Sequence, residues 1–284
     1  MESSSVYQAE AIKTFQKRFP MENRLTELSR SNDKSNTTLL VPYMVAGYPT
    51  LDRSREVFEL FAEEGADIIE IGIPFSDPLA DGVVIQEASN RSLNNGTDLD
   101  DIYSLVKSLR KVHEVPLVLM GYTNPIYKRG ISKFFSECAE VGVDGVIIPD
   151  LSPQESEPYV KSARDNNIST IFLVAPNTTD ERIKFVSELS TEFIYCVSVF
   201  GVTGQQNNLP EDIQEYLERV KQLSGRKILV GFGVDSKESA LRLAPYSDGI
   251  VIGSAFVKLL NADDDNSVNE LRSLFRAVRQ ALSN

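Results

Sequence analysis

The chain alternates short apolar runs with longer amphipathic ones. Leu39 to Val45, Asp67 to Ile71, Val115 to Met120, Gly145 to Ile148, Ile168 to Val174, Phe193 to Val199, Ile228 to Gly231 and Gly249 to Ile252 read as strands. They are near-continuous in apolar residues, as parallel strands covered on both faces are. Each is followed by a stretch of helical periodicity with its own cap signals. Asp52 is the expected N-cap of the first such helix and Gly65 its stop. A short helix from Met21 to Leu28 and then a polar loop are expected before the first strand. Strict strand-then-helix alternation, eight times over, predicts an α/β fold of the closed (β/α)8 barrel type with an extra N-terminal helix. An open doubly wound sheet competes, but no GxGxxG follows the first strand. No shift of composition marks a boundary, so residues 21–284 read as a single barrel domain. Residues 1–20 read as an N-terminal extension without a secretory apolar core.

Composition narrows the function classes. The 284 residues carry a net charge of −12, which disfavours a nucleic-acid or anionic-membrane surface. A local phosphate site remains open, because backbone N–H groups do not enter net charge. No run approaches the roughly 20 apolar residues that cross a bilayer. Cys138 and Cys196 are far apart and form no CxxC, which suits reduced thiols in the cytoplasm. The sole histidine, His113, lies in a polar stretch. Proton transfer therefore falls to carboxylates, Tyr or Lys rather than to a histidine triad or a multi-histidine metal site.

In a barrel, function gathers where strands run into the loops that follow them. IIEIGIPFSDPLADG, from Ile68 to Gly82, stands out. Strand periodicity puts Ile68, Glu70 and Gly72 on one face and Ile69 and Ile71 on the other. If the isoleucines meet helices, Glu70 points into the barrel, where burial favours its neutral form and suits it to acid/base work. Asp81 ends the loop before a helix, where capping is the simpler role. The loop is long for its place and holds Phe75 and Leu79, as a loop folding over a ligand would. Glycines gather at the ends of strands six, seven and eight, in GVTG (Gly201 to Gly204), GFG (Gly231 to Gly233) and the pair Gly253 and Ser254. Loops after strands seven and eight with a helix N-terminus form phosphate cradles in such barrels. The residues alone thus point to a phosphate-binding barrel with carboxylate acid/base chemistry and no metal.

E-x-G-x-P-F-S-D-P-x-A-D-G, here Glu70 to Gly82, resembles the signature of the tryptophan synthase alpha chain family, as do PYMVAGYP, MGYTNP, GVTG, GFG and GSA. The resemblance runs from about Glu22 to the C-terminus. It implies a lyase of the carbon–oxygen class, acting in tryptophan biosynthesis, that cleaves indole-3-glycerol phosphate to indole and glyceraldehyde 3-phosphate. It implies Glu70, Asp81 and Tyr195 as catalytic residues: Glu70 moving protons, Asp81 holding the indole N–H, Tyr195 supporting Glu70. It implies an indole pocket of Tyr43, Tyr122, Leu173 and Phe232, and a phosphate site of Thr203, Gly204, Gly233, Gly253 and Ser254. It implies no cofactor in this chain, pyridoxal phosphate on a beta-chain partner, and an α2β2 assembly. Asp77, Pro78 and the loops after strands two and six are the expected contacts. A stand-alone lyase releasing free indole and a non-catalytic activating barrel are the alternatives. Two residues depart from the family pattern: Phe200 replaces a small residue before GVTG, and Val83 replaces a frequent Pro. Both lie in loops and bear on closure and partner coupling more than on chemistry.

Overall fold

The structure is a computed structural model, and it describes residues 21–35, 37–197, 212–231, 233–260 and 265–283. Eight parallel strands close on themselves in chain order: β1 (Leu39–Val45), β2 (Ile69–Gly72), β3 (Leu117–Met120), β4 (Gly145–Ile147), β5 (Ser169–Val174), β6 (Phe193–Val197), β7 (Lys227–Gly231) and β8 (Gly249–Ile252). The expected (β/α)8 barrel is therefore present. Register runs Tyr43 to Glu70 to Val118 to Gly145 around one half of the barrel. Leu173, Tyr195, Leu229, Gly249 and Leu39 continue it around the other. Side chains alternate along a strand, so residues in one register row share a face. Tyr43, Glu70 and Tyr195 line the cavity at the mouth, and with them this parity faces inward. Ile69 and Ile71, of opposite parity, are fully buried against the helices.

The helices are α1 (Arg24–Ser35), α2 (Leu51–Glu63), α3 (Val83–Asn94), α4 (Leu99–Arg110), α5 (Thr123–Arg129), α6 (Ile131–Val141), α7 (Glu157–Asp165), α8 (Asp180–Leu189), α9 (Ile213–Ser224), α10 (Lys237–Leu243), α11 (Ser254–Leu259) and α12 (Asp265–Leu282). Four of the departures from expectation are instructive. α1 runs on to Ser35 through the stretch expected as loop. Leu25, Ser29 and Asn32 are buried on one side of it, and Lys227 donates to the Ser29 carbonyl. Tertiary contact outweighs the poor helix propensity of its Ser and Asn residues. α2 is capped by Thr50, not Asp52: the Thr50 side chain accepts from the Arg53 N–H at 3.2 Å. α5 was hidden by Pro125, which sits in the first turn, where no N–H has an intrahelical partner. The helix expected from Pro153 opens as a separate 3₁₀ turn, Pro153–Glu155, and α7 starts only at Glu157.

The end of the barrel where strands begin is stitched by carboxylates. Asp67, Asp144 and Asp248 accept the backbone N–H of Leu40, Leu117 and Ile228, each on the neighbouring strand, at 2.7–2.9 Å. Each carboxylate also meets a cation: Arg279, Arg110 with Arg24, and Lys221 respectively.

Candidate active site

The opposite end carries the cavity. β2 delivers Glu70 into it, because Ile69 and Ile71 commit the other face of the strand to the helices. Glu70 is 1% exposed, and among the described residues its Oε1 has no hydrogen-bond partner. Burial, then the nearby charge of Asp81, pushes its pKa up to about 8. The loop after β2 brings Asp81 back over the mouth. Asp81 is 5% exposed, and burial raises its pKa to about 6 against the lowering effect of a hydrogen bond from Tyr122. Around neutrality one carboxyl group is thus mostly protonated and its neighbour mostly ionised. Two acids pushed apart in this way can divide acid and base roles.

Asp81 is not a helix cap. α3 is capped by Gly82, with no side-chain cap hydrogen bond. Instead the Tyr122 hydroxyl donates to Asp81 Oδ2 at 2.9 Å and accepts from the Ala80 N–H at 3.1 Å, while the Tyr122 ring stacks on Phe75 at 5.2 Å. The Gln86 amide holds the Asp81 carbonyl at 2.9 Å. Tyr122 therefore clasps both arms of the loop and orients its carboxylate; it is not among the side chains lining the cavity.

Glu70, Asp81, Tyr43, Tyr195, Gly233, Gly253 and Ser254 converge on one cavity. Leu173 stands beside Tyr195 in register and is half-buried, but it does not line the cavity. Phe200, Thr203, Gly204 and Phe232 lie outside the described residues. Sequence reasoning missed Ile85, Met120, Val234 and Val251, which complete the apolar lining. Met120 and Val251 had a usable signal, being in the inward register of β3 and β8. Ile85 and Val234 depend on how loops return over the mouth, which periodicity does not carry.

The glycines of the mouth serve the tyrosines as well as any anion. A Cβ on Gly231 would stand 2.0 Å from the Tyr195 hydroxyl, and one on Gly72 would stand 2.4 Å from the Tyr43 hydroxyl. Each tyrosine leans over a glycine of the next strand, two residues beyond its own register partner. Of Gly72, Gly231, Gly233 and Gly253, Gly233 alone needs its glycine for backbone reasons, with φ at +79°. Among the described residues, no group of three or more His, Cys, Asp or Glu could hold a metal ion.

On the outer side of the same loop, Phe75, Ser76, Asp98, Asn124 and Lys128 line an open groove. Asp77 is exposed beside it and Pro78 is buried. Leu79, at the tip, is 84% exposed.

The family model of the tryptophan synthase alpha chain matches residues 29–283. The chain is 44% identical over 243 residues to the tryptophan synthase alpha chain of Dehalococcoides mccartyi, covering 86% of this chain and 94% of that one. It is 42% identical to that of Petrotoga mobilis, with 86% and 95% covered. Among solved structures, Mycobacterium tuberculosis tryptophan synthase superposes with a TM-score of 0.85 at 33% identity, over 92% of this chain and 99% of that one. A chain of the Pyrococcus furiosus tryptophan synthase α2β2 complex does so at 0.81 and 37%, over 86% and 98%. Signature and barrel agree with these matches, and the chain belongs to the tryptophan synthase alpha chain family of lyases in tryptophan biosynthesis.

Proposed function

We propose that this cavity cleaves indole-3-glycerol phosphate to indole and glyceraldehyde 3-phosphate. The observation that carries the reading is the buried pair, neutral Glu70 and ionised Asp81 on one cavity whose remaining lining is mostly aliphatic and aromatic. The Glu70 carboxylic acid gives its proton to C3 of the indole. Positive charge develops on the ring and its nitrogen, and the Asp81 carboxylate accepts the indole N–H and stabilises that charge. The Glu70 carboxylate then takes the proton of the hydroxyl on the carbon attached to the ring. That carbon becomes the aldehyde, the bond to C3 breaks, and its electron pair returns to the indole. Glu70 ends as it began, protonated. Tyr195, packed over Gly231, walls Glu70 from water. Backbone N–H groups at Gly233, Gly253 and Ser254 are the proposed phosphate contacts among the described residues, with Thr203 and Gly204 completing the set.

The partner on this reading is a tryptophan synthase beta chain carrying pyridoxal phosphate, in an α2β2 assembly like that of the Pyrococcus furiosus complex. The exposed tip of the loop, with Asp77 and Leu79, and the groove behind Phe75 offer it a surface continuous with the catalytic loop. Pro78, buried in the chain, supports that surface from below. Both cysteines are free and buried, which suits a reducing compartment, and we place the chain in the cytoplasm. The test is indole release from indole-3-glycerol phosphate, with and without a beta chain. Release that a beta chain strongly accelerates supports the reading. Full activity of the isolated chain rejects the coupled assembly, and no release under either condition rejects the chemistry.

A further inference from the structure

The family resemblance implies Tyr43 as part of an apolar wall, yet its hydroxyl lies where a wall needs none. The residue stands on β1, between β8 and β2. Its ring leans toward the mouth across Gly253, where a Cβ would come within 2.7 Å of the ring, and its hydroxyl reaches over Gly72. Both flanking strands give up a side chain to admit it. The ring therefore borders Gly253 and Ser254, the proposed phosphate end. The hydroxyl lies beyond Glu70 on the neighbouring strand, at the carboxylate end. The groups that face it electrostatically are Asp81, Glu70, Tyr122 and Tyr195, and burial with the two carboxylates keeps its proton on. No group among the described residues hydrogen-bonds to this hydroxyl, and Tyr43 lines the cavity. A polar donor that no described residue engages thus stands between the anion end and the carboxylate end, in the gap a hydroxylated three-carbon linker has to span.

We propose that Tyr43 determines substrate specificity by hydrogen-bonding, through its hydroxyl, to the hydroxyl groups of the glyceryl chain. This rests on the substrate reading above and goes beyond it, because it assigns recognition of the linker to a residue whose ring alone would serve as wall. Phenylalanine keeps the ring and its contacts with Gly253 while removing the donor. A substrate hydroxyl left in a dry site without a partner loses affinity, whereas a linker that has no hydroxyls loses nothing.

The experiment compares wild type and Tyr43→Phe with two ligands: indole-3-glycerol phosphate, read as KM and kcat, and indole-3-propanol phosphate, read as an inhibition constant. The expected result is a rise of about tenfold in KM for the glyceryl compound, with the inhibition constant of the propyl compound unchanged. Equal weakening of both ligands assigns Tyr43 to packing and overturns the proposal. So does an unchanged KM. A wild-type chain that releases no indole fails the substrate reading itself. An active wild type with an indifferent Tyr43→Phe variant fails only this inference.

Discussion

Glu70 is useful because it is poorly placed for a charge. Among the described residues nothing hydrogen-bonds to Oε1, and the charge that acts on it is another carboxylate, Asp81. Cleavage needs Asp81 ionised and Glu70 protonated. kcat/KM should therefore rise with pH through about 6 and fall above about 8. A profile flat from pH 5 to 9 would contradict that division of roles. The same shift sets a stability signature. A carboxyl group whose pKa is raised on folding holds its proton in the native state, so its contribution is whole below the unfolded value and is lost as pH rises through the native one. Glu70→Gln does not titrate. Denaturant unfolding should show the variant gaining on wild type by a few kcal/mol between pH 4 and pH 9. An advantage that does not grow with pH would mean that Glu70 is ionised in the folded chain.

At the scale of the element, the loop after β2 is held by a tyrosine rather than by a cap. The sequence offered Asp81 two roles, and the structure decides between them: Gly82 caps α3, and the carboxylate turns inward to Tyr122. Tyr122→Phe keeps the stack on Phe75 but leaves the Ala80 N–H and the Asp81 carboxylate without that hydroxyl. A hydrogen bond to a charged group is worth about 1.5–3 kcal/mol, so kcat should fall by roughly tenfold or more. Because this bond lowers the Asp81 pKa, the acid limb of the pH profile should move to higher pH. A variant with wild-type rate and profile would return Tyr122 to the role of a bystander. This clasp was not legible in the sequence. Tyr122 follows β3 and Asp81 precedes α3, 41 residues apart in the chain, and only closure of the barrel brings them together. The inward direction of Glu70 was legible, because strand parity with two isoleucines on the opposite face dictates it.

At the scale of the whole molecule, the two ends of the barrel do different work. The mouth holds an acid whose Oε1 no described residue engages, while the far end places three aspartates on backbone amides and cations. Asp144 is the most buried of these and serves Leu117, Arg110 and Arg24 together. Asp144→Ala strands Arg110 and should cost about 3–5 kcal/mol of unfolding free energy, without changing kcat per folded molecule. A loss of turnover at unchanged stability would move Asp144 into the catalytic account. Eight apolar runs made the barrel readable, since a closed parallel sheet needs only that each strand be apolar and each helix amphipathic. Helix limits were less readable. Thr50 takes the cap from Asp52, and burial of Leu25, Ser29 and Asn32 carries α1 through a polar stretch. The aspartates of the far end escaped the sequence as well, because their partners lie on neighbouring strands.

The measurement that bears most directly on the whole reading is indole release from indole-3-glycerol phosphate by wild type and Glu70→Gln, beside the affinity of each for indole-3-propanol phosphate. A neutral glutamine fills the same space as the neutral acid but has no proton to give. Turnover should fall by at least a hundredfold, the low end of what general acid–base groups contribute, while the analogue binds as before. A Glu70→Gln chain that cleaves at the wild-type rate would show that the buried carboxyl group of β2 is not the acid.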